Sequence, residues 1–178
     1  MKHLFVFITT LLLTTSVSAL TLSGNYALTK GSLNYHVHYI VKHVQGKSTN
    51  VKGKGICKKA KCSFIVAAPI KSFVSKDSNR DVKMQTVTKA AQYPMVVVRV
   101  SSESTLNVNQ TFNAQIKFAG VTKEYKNITL KAMGTNKAFS ITGILKIKLS
   151  DFKIERPTLL AIAINDELPI DINLMFSR

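Results

Sequence analysis

The chain has 178 residues, 46% of them hydrophobic, with 25 Lys+Arg against 9 Asp+Glu and a formal charge of +16. That balance excludes a disordered chain and suffices for one domain with a single core. A positive field of this size gathers anionic partners at the surface.

The first segment, MKHLFVFITTLLLTTSVSA, places Lys2 and His3 ahead of an apolar run and ends in the small residues Val17-Ser18-Ala19. This is the order of parts of a secretory signal peptide cleaved after Ala19. The run is short for a membrane span and is interrupted by Thr9 and Thr10. Residues 1–19 are therefore expected to be a signal peptide, and 20–178 a mature domain in a periplasmic or secreted, oxidising setting. Losing Lys2 leaves 24 Lys+Arg against 9 Asp+Glu, a formal +15. In an exported protein that charge suits anionic lipid head groups or an acidic envelope, and no nucleic-acid partner is expected.

SLNYHVHYIVKHV, residues 32–44, is a strand candidate. His36 and His38 share one face with Asn34, while His43 has opposite parity along one continuous strand. Two imidazoles do not make a metal site, so these read as outer-face or barrel-mouth histidines and no metal or other cofactor is expected. The next window holds Lys42, Lys47, Lys52, Lys54, Lys58, Lys59 and Lys61 with no acid. Two adjacent strands and their turn would make it one basic edge.

The same window holds both cysteines, Cys57 and Cys62. A zinc site would need further ligands, and a redox pair has two intervening residues where this has four. In an oxidising compartment the simplest reading is a disulfide across a hairpin whose turn is Lys58-Lys59-Ala60-Lys61.

SFIVAAPI continues as a strand, and DSNRDVKMQTVTKAAQYP then predicts a short helix from about Asn79 to Ala90, capped by Asp77 or Ser78 and stopped at Tyr93-Pro94. Arg80 and Asp81 read as an ion pair or cap there. MVVVRVSS and YKNITLKAM are further strand candidates. Period two is clearest in TFNAQIKF, FSITGILKIKL and ELPIDINLMF, which set Phe112 to Phe118, Phe139 to Leu149 and Leu168 to Phe176 on apolar faces. Asp151, directly after a strand, can tie down the following turn. Eight or so half-buried antiparallel strands suggest a barrel or a sandwich. No nucleophile–base set, G-x-S-x-G, P-loop or dinucleotide fingerprint occurs, so no catalytic residue is assigned and an enzyme is not expected.

Five stretches together carry a family resemblance. YIVKHVQGKSTNVKGKG, DSNRDVKM with its later YP, AGVTKEYKNITL, GILKIKLSDFKIE and LPIDINLMF occur in the order of the YceI-like family of exported polyisoprenoid-binding proteins. The chain departs from that pattern at Lys83 and Ala119, where the family commonly has His, and at Lys153, where it commonly has Gly. The resemblance implies an all-β fold, a lipocalin-like antiparallel β-barrel of about eight strands with one short helix covering an end. It also implies an elongated interior for a long-chain isoprenoid lipid such as a quinone tail. Strand parity then nominates Phe64, Val66, Val96, Val98, Phe112, Ile116, Phe118, Ile141, Leu145 and Ile147 as lining residues. The function expected is an exported, non-enzymatic carrier, with the basic face docking it to an anionic membrane. The alternative is an envelope stress or interaction protein whose barrel is filled by side chains and which acts through its lysines.

Overall fold

The computed structural model describes residues 19–38, 43–159 and 162–178. Apart from Ala19, the expected signal peptide lies outside them. The strands are β1 (Leu20–Thr21), β2 (Gly24–His38), β3 (His43–Ser48), β4 (Lys52–Lys58) and β5 (Lys61–Pro69), followed by the helix α1 (Ser78–Val87). After the helix come β6 (Met95–Glu103), β7 (Thr105–Leu106), β8 (Asn109–Phe118), β9 (Val121–Gly134) and β10 (Ala138–Lys148). β11 (Thr158–Leu159), β12 (Ile162–Ala163) and β13 (Glu167–Ser177) complete the chain.

The principal sheet runs β13-β10-β9-β8-β6-β5-β4-β2, and β13 pairs back onto β2. Eight antiparallel strands thus close into a barrel with one helix, the all-β architecture expected. β4 and β3 take successive stretches of the same edge of β2, opposite Gly24–Ala27 and Leu33–His38. The single strand anticipated over 32–44 is therefore two strands. His43 faces His38 across the ladder and shares the outer face with His36, contrary to the parity expected of one continuous strand.

Two bulges reset the in–out alternation. Met175 pairs with Lys30 and Phe176 with Leu28, so Thr29 is an extra residue whose hydroxyl donates to the Met175 carbonyl at 3.2 Å. Before it Tyr26 and Leu28 turn inward, after it Leu33, Tyr35 and Val37 do. On β9 the extra residue is Asn127, left-handed at φ 58°, whose amide donates to the Asn113 side chain.

One end of the barrel is packed shut. Tyr26, Phe64, Phe139 and Phe176 meet there with centroids 5.2 to 6.5 Å apart, beside Leu22 and Leu106. The Cys57–Cys62 disulfide joins the same cluster, both residues only 3% exposed. The hairpin beyond it turns through Lys59 and Ala60, both at positive φ. Such a turn usually recruits Asn and Gly, and here the disulfide and the Ser104 amide, which donates to the Ala60 carbonyl, hold it. Phe64 lies flat across Gly55, where a Cβ would come within 2.2 Å of the ring.

The other end carries α1. Asp77 caps it, accepting from the Arg80 amide at 3.1 Å and pairing with the Arg80 guanidinium, while Asp81 accepts from the Ser75 amide. The helix stops at Val87, three residues before the predicted Ala90. Thr88 turns its hydroxyl back to the Met84 carbonyl, and Lys89 adopts φ 53°.

Residues from several of the family-like stretches meet at this end. The Tyr93 ring covers Gly120, which has φ 81° and space for no Cβ. Phe152, 1% exposed, packs on Phe118 and Tyr125. The Tyr125 hydroxyl donates to Asp151 at 2.6 Å and accepts from the Lys148 amide at 3.1 Å. Asp151 therefore anchors a neighbouring strand, and the expectation that it ties down the following turn is corrected. The turn is tied instead by Asp166, which accepts from the Ser150 hydroxyl and amide. The Ser150 side-chain bond first, and its amide second, hold Asp166 below the ordinary carboxylate range.

Two stability predictions follow from these two ends. The Cys57→Ser/Cys62→Ser variant should lose about 2 kcal/mol, a small-loop value, and so melt several degrees lower. An unchanged melting temperature would show that packing alone holds the hairpin. Burial, then the hydrogen bond to Asp151, raises Tyr125 to about 12. Tyr125→Phe should cost about 1 kcal/mol at neutral pH. The unfolded tyrosine ionises near its ordinary value while the folded one does not, so this advantage is full below pH 10. It then fades as pH rises from 10 through 12. Urea unfolding of both forms across that range measures the closing gap, and a constant gap would contradict it.

Candidate functional site

Between the two ends the barrel encloses a cavity of about 530 Å³. All ten residues nominated by strand parity, Phe64, Val66, Val96, Val98, Phe112, Ile116, Phe118, Ile141, Leu145 and Ile147, stand on its wall. They arrive there because β5, β6, β8 and β10 run without a parity break through these positions, so every second side chain turns inward.

Sequence reasoning left out the rest of the wall. Ile170, Ile172 and Leu174 come from β13, whose apolar face was legible but not nominated. Leu33, Tyr35 and Val37 on β2 and Ile128 and Leu130 on β9 follow the bulges, which no simple alternation reveals. Arg80, Lys83, Met84, Val87 and Thr88 come from one side of α1. Their spacing of three and four is the signal that would have found them.

The wall is apolar almost throughout. Phe64, Leu106, Phe139 and Phe176 form the floor at the disulfide end. Among the described wall residues only Lys83 and Thr158 are exposed, which places the mouth at the helix end. Among the described residues no Asp, Glu or His lines the cavity, and the charged ones on its wall are Arg80 and Lys83. The two groups with shifted acidities, Tyr125 and Asp166, lie off the wall and serve the framework.

The remaining candidates stay outside the cavity. His36 bonds Asp171 at 2.7 Å and His43 at 3.1 Å, and His38 stacks against His43 at 4.4 Å between ring centroids. This cluster lies on the outer face, and among the described residues no group of three or more potential ligands could hold a metal ion. Lys47, Lys52, Lys54, Lys58, Lys59 and Lys61 are all exposed, forming a basic strip along β3, β4 and the hairpin; Lys42 lies outside the described residues. The hairpin lysines sit at the closed end, away from the mouth, because β5 leads from Lys61 there to Pro69 beside α1.

Comparison with known proteins agrees with this geometry. The YceI-like domain model matches residues 25–176. A polyisoprenoid-binding domain from Saccharophagus degradans, implicated in plant cell wall breakdown, superposes with a TM-score of 0.67 at 16% identity, covering 85% of this chain and 97% of that one. BcnA of Burkholderia cenocepacia also superposes at 0.67, with 13% identity over 82% of this chain and 95% of its own. At these identities the likeness establishes the shared barrel. No curated protein matches by sequence. The family match spans nearly the whole described barrel, and the chain belongs to the YceI-like family.

Proposed function

We propose that this chain is an exported, non-enzymatic carrier that holds a long isoprenoid lipid, of polyprenyl or quinone type, inside the barrel. The observation that carries this reading is the cavity, about 530 Å³ with an almost wholly aliphatic and aromatic wall. A volume of this order suits a ligand that lies inside, and such a wall needs only shape to accept a hydrocarbon chain. Transfer of the tail from water supplies about 25 cal/mol for each Å² of apolar surface buried. The polyisoprenoid-binding description of the Saccharophagus neighbour supports the same ligand class. An interior of that volume counts against the alternative in which side chains fill the barrel.

The signal-peptide pattern and the buried disulfide support export to the periplasm or beyond. The lysine strip supports attraction to an anionic membrane. The hairpin lysines lie at the closed end, so cations around the mouth, Lys71, Lys76, Lys83 and Lys89, are better placed to meet a membrane during transfer.

Organic extraction of the purified protein followed by mass spectrometry should release a polyprenyl lipid in near-stoichiometric amount. The wall substitution Ala114→Trp should fill the cavity, abolish that signal and leave the circular dichroism of the barrel intact. Repeated extraction without any lipid from the unmodified protein would sink the carrier reading.

A further inference from the structure

We infer that the lysine strip along one flank of the barrel is a binding surface for a linear acidic polysaccharide, a partner independent of whatever the cavity holds. Long-range attraction to an anionic membrane needs only the net charge; a contact needs a surface of the right shape and company.

The strip arises from segregation of charge along the chain. Residues 1–76 contain no Asp, Glu or Arg, and all nine acids lie from Asp77 onward. β2 to β5 are therefore free of carboxylates, and they are neighbours in the sheet, so one flank of the barrel inherits the imbalance. β3 and β4 follow each other along a single edge of β2, with Lys47 opposite Asn34 and Lys54 opposite Ala27. Their outward positions form a line and not a scattered patch. Lys47, Lys52, Lys54 and Lys58 stand on it, and Lys59 and Lys61 end it at the hairpin. At about 3.3 Å per residue, Lys52 to Lys58 alone spans about 20 Å.

These charges are unspent. The ion pairs among the described residues are His36–Asp171, Arg80–Asp77 and Lys146–Glu167, and none uses a strip lysine. Glu103 faces Lys61 across the ladder, at the very end of the line. Asp171, two strands from Lys47, is engaged by His36 at 2.7 Å. The cystine, and the Ser104 amide donating to the Ala60 carbonyl, fix the hairpin. Lys58, Lys59 and Lys61 are thus presented on a preorganised backbone, which lowers the cost of binding.

The neighbours of the lysines select among anions. Lys54 has Ala27 on one side and Ile65 on the other, and Ile56 has Asn25 and Ser63. The Tyr and Phe residues described on β2 to β5, Tyr26, Tyr35 and Phe64, are all buried, so no ring along the line can stack a nucleic-acid base. A bilayer interface takes large apolar side chains together with cations, and Ile56 is the large apolar residue exposed on the line. An acidic polysaccharide requires neither. Its carboxylates repeat along an extended chain, and its hydroxyls meet the exposed Asn25, Thr49, Asn50 and Ser63. Lysine, a compact charge on a flexible stem, adapts to carboxylates spaced along such a chain.

The test is fluorescence anisotropy of labelled octagalacturonate titrated with the full mature chain at low salt. Digalacturonate should compete at least about tenfold more weakly than the octamer, because only the longer chain meets several ammoniums at once. The variant Lys52→Gln/Lys54→Gln/Lys58→Gln should weaken octamer binding about tenfold. The Lys→Arg triple at the same positions should retain it. Lys123→Gln/Lys126→Gln/Lys131→Gln removes the same charge from β9, on the opposite side of the barrel, and should change binding less than about twofold. If the β9 triple weakens binding as much as the strip triple, or digalacturonate competes as well as the octamer, diffuse charge is responsible and the inference is overturned. It is overturned too if octagalacturonate does not bind, whether or not oligothymidylate or phosphatidylglycerol vesicles do. Lipid extraction from the same preparations tests the carrier reading separately, so either can fail while the other stands.

Discussion

The pairing of β13 with β2, from Ile170 opposite Tyr35 to Ser177 opposite Ala27, turns a long antiparallel sheet into a closed wall. Without it, two long edges would expose unpaired amides and carbonyls, and the inner apolar face would have no second layer to cover it. Closure solves both problems at once. The extra residue at Thr29 lies within this seam, where it lets β2 keep apolar side chains inward on both sides of the bulge while adding local twist.

A closed barrel still needs its ends managed, and the two are managed differently. At the disulfide end, four aromatic rings and the buried cystine leave no space, so the interior stops there. At the helix end the packing is looser. Tyr93 on Gly120, Phe152 on Phe118 and the Tyr125–Asp151 bond fix the rim, but α1 places no fully buried residue against it. A helix held by a cap and a few rim contacts has a small free energy of local opening compared with strands in a closed ladder. The element that covers the mouth is thus the one that can yield most readily.

Much of this was readable before any coordinates. Period two along TFNAQIKF and FSITGILKIKL needs no tertiary information, because one buried face is enough to impose it, and all ten nominated residues reach the wall. The disulfide was legible from compartment and spacing, and the pairing is present. The errors share one cause: backbone features that sequence marks faintly. The break between β2 and β3 reverses the face of His43, and nothing in SLNYHVHYIVKHV signals a turn by Gly or Pro. The bulge at Asn127 hides Ile128 and Leu130 for the same reason. Lys153, where the family commonly has Gly, occupies a left-handed position at φ 54°, so a residue type that would have announced the turn is missing. Thr88 and Lys89 end α1 through a side-chain bond and a φ value, and neither shows in helix propensity.

An interior left open changes where the stability resides. In a domain of this size a filled core usually supplies most of the favourable free energy. Here the centre of the barrel contributes less, and the ladders, the aromatic floor and the Phe152 rim contribute more. Side chains around an apolar void lose dispersion partners on one side. A hydrocarbon chain that restores those partners binds only the folded state, and raises its stability in proportion to the logarithm of its concentration over its dissociation constant. Emptying the barrel then costs the protein some of its stability, and the loss is felt first where the wall is least supported. That place is α1, so a barrel that has given up its lipid is also the one whose mouth is held most loosely.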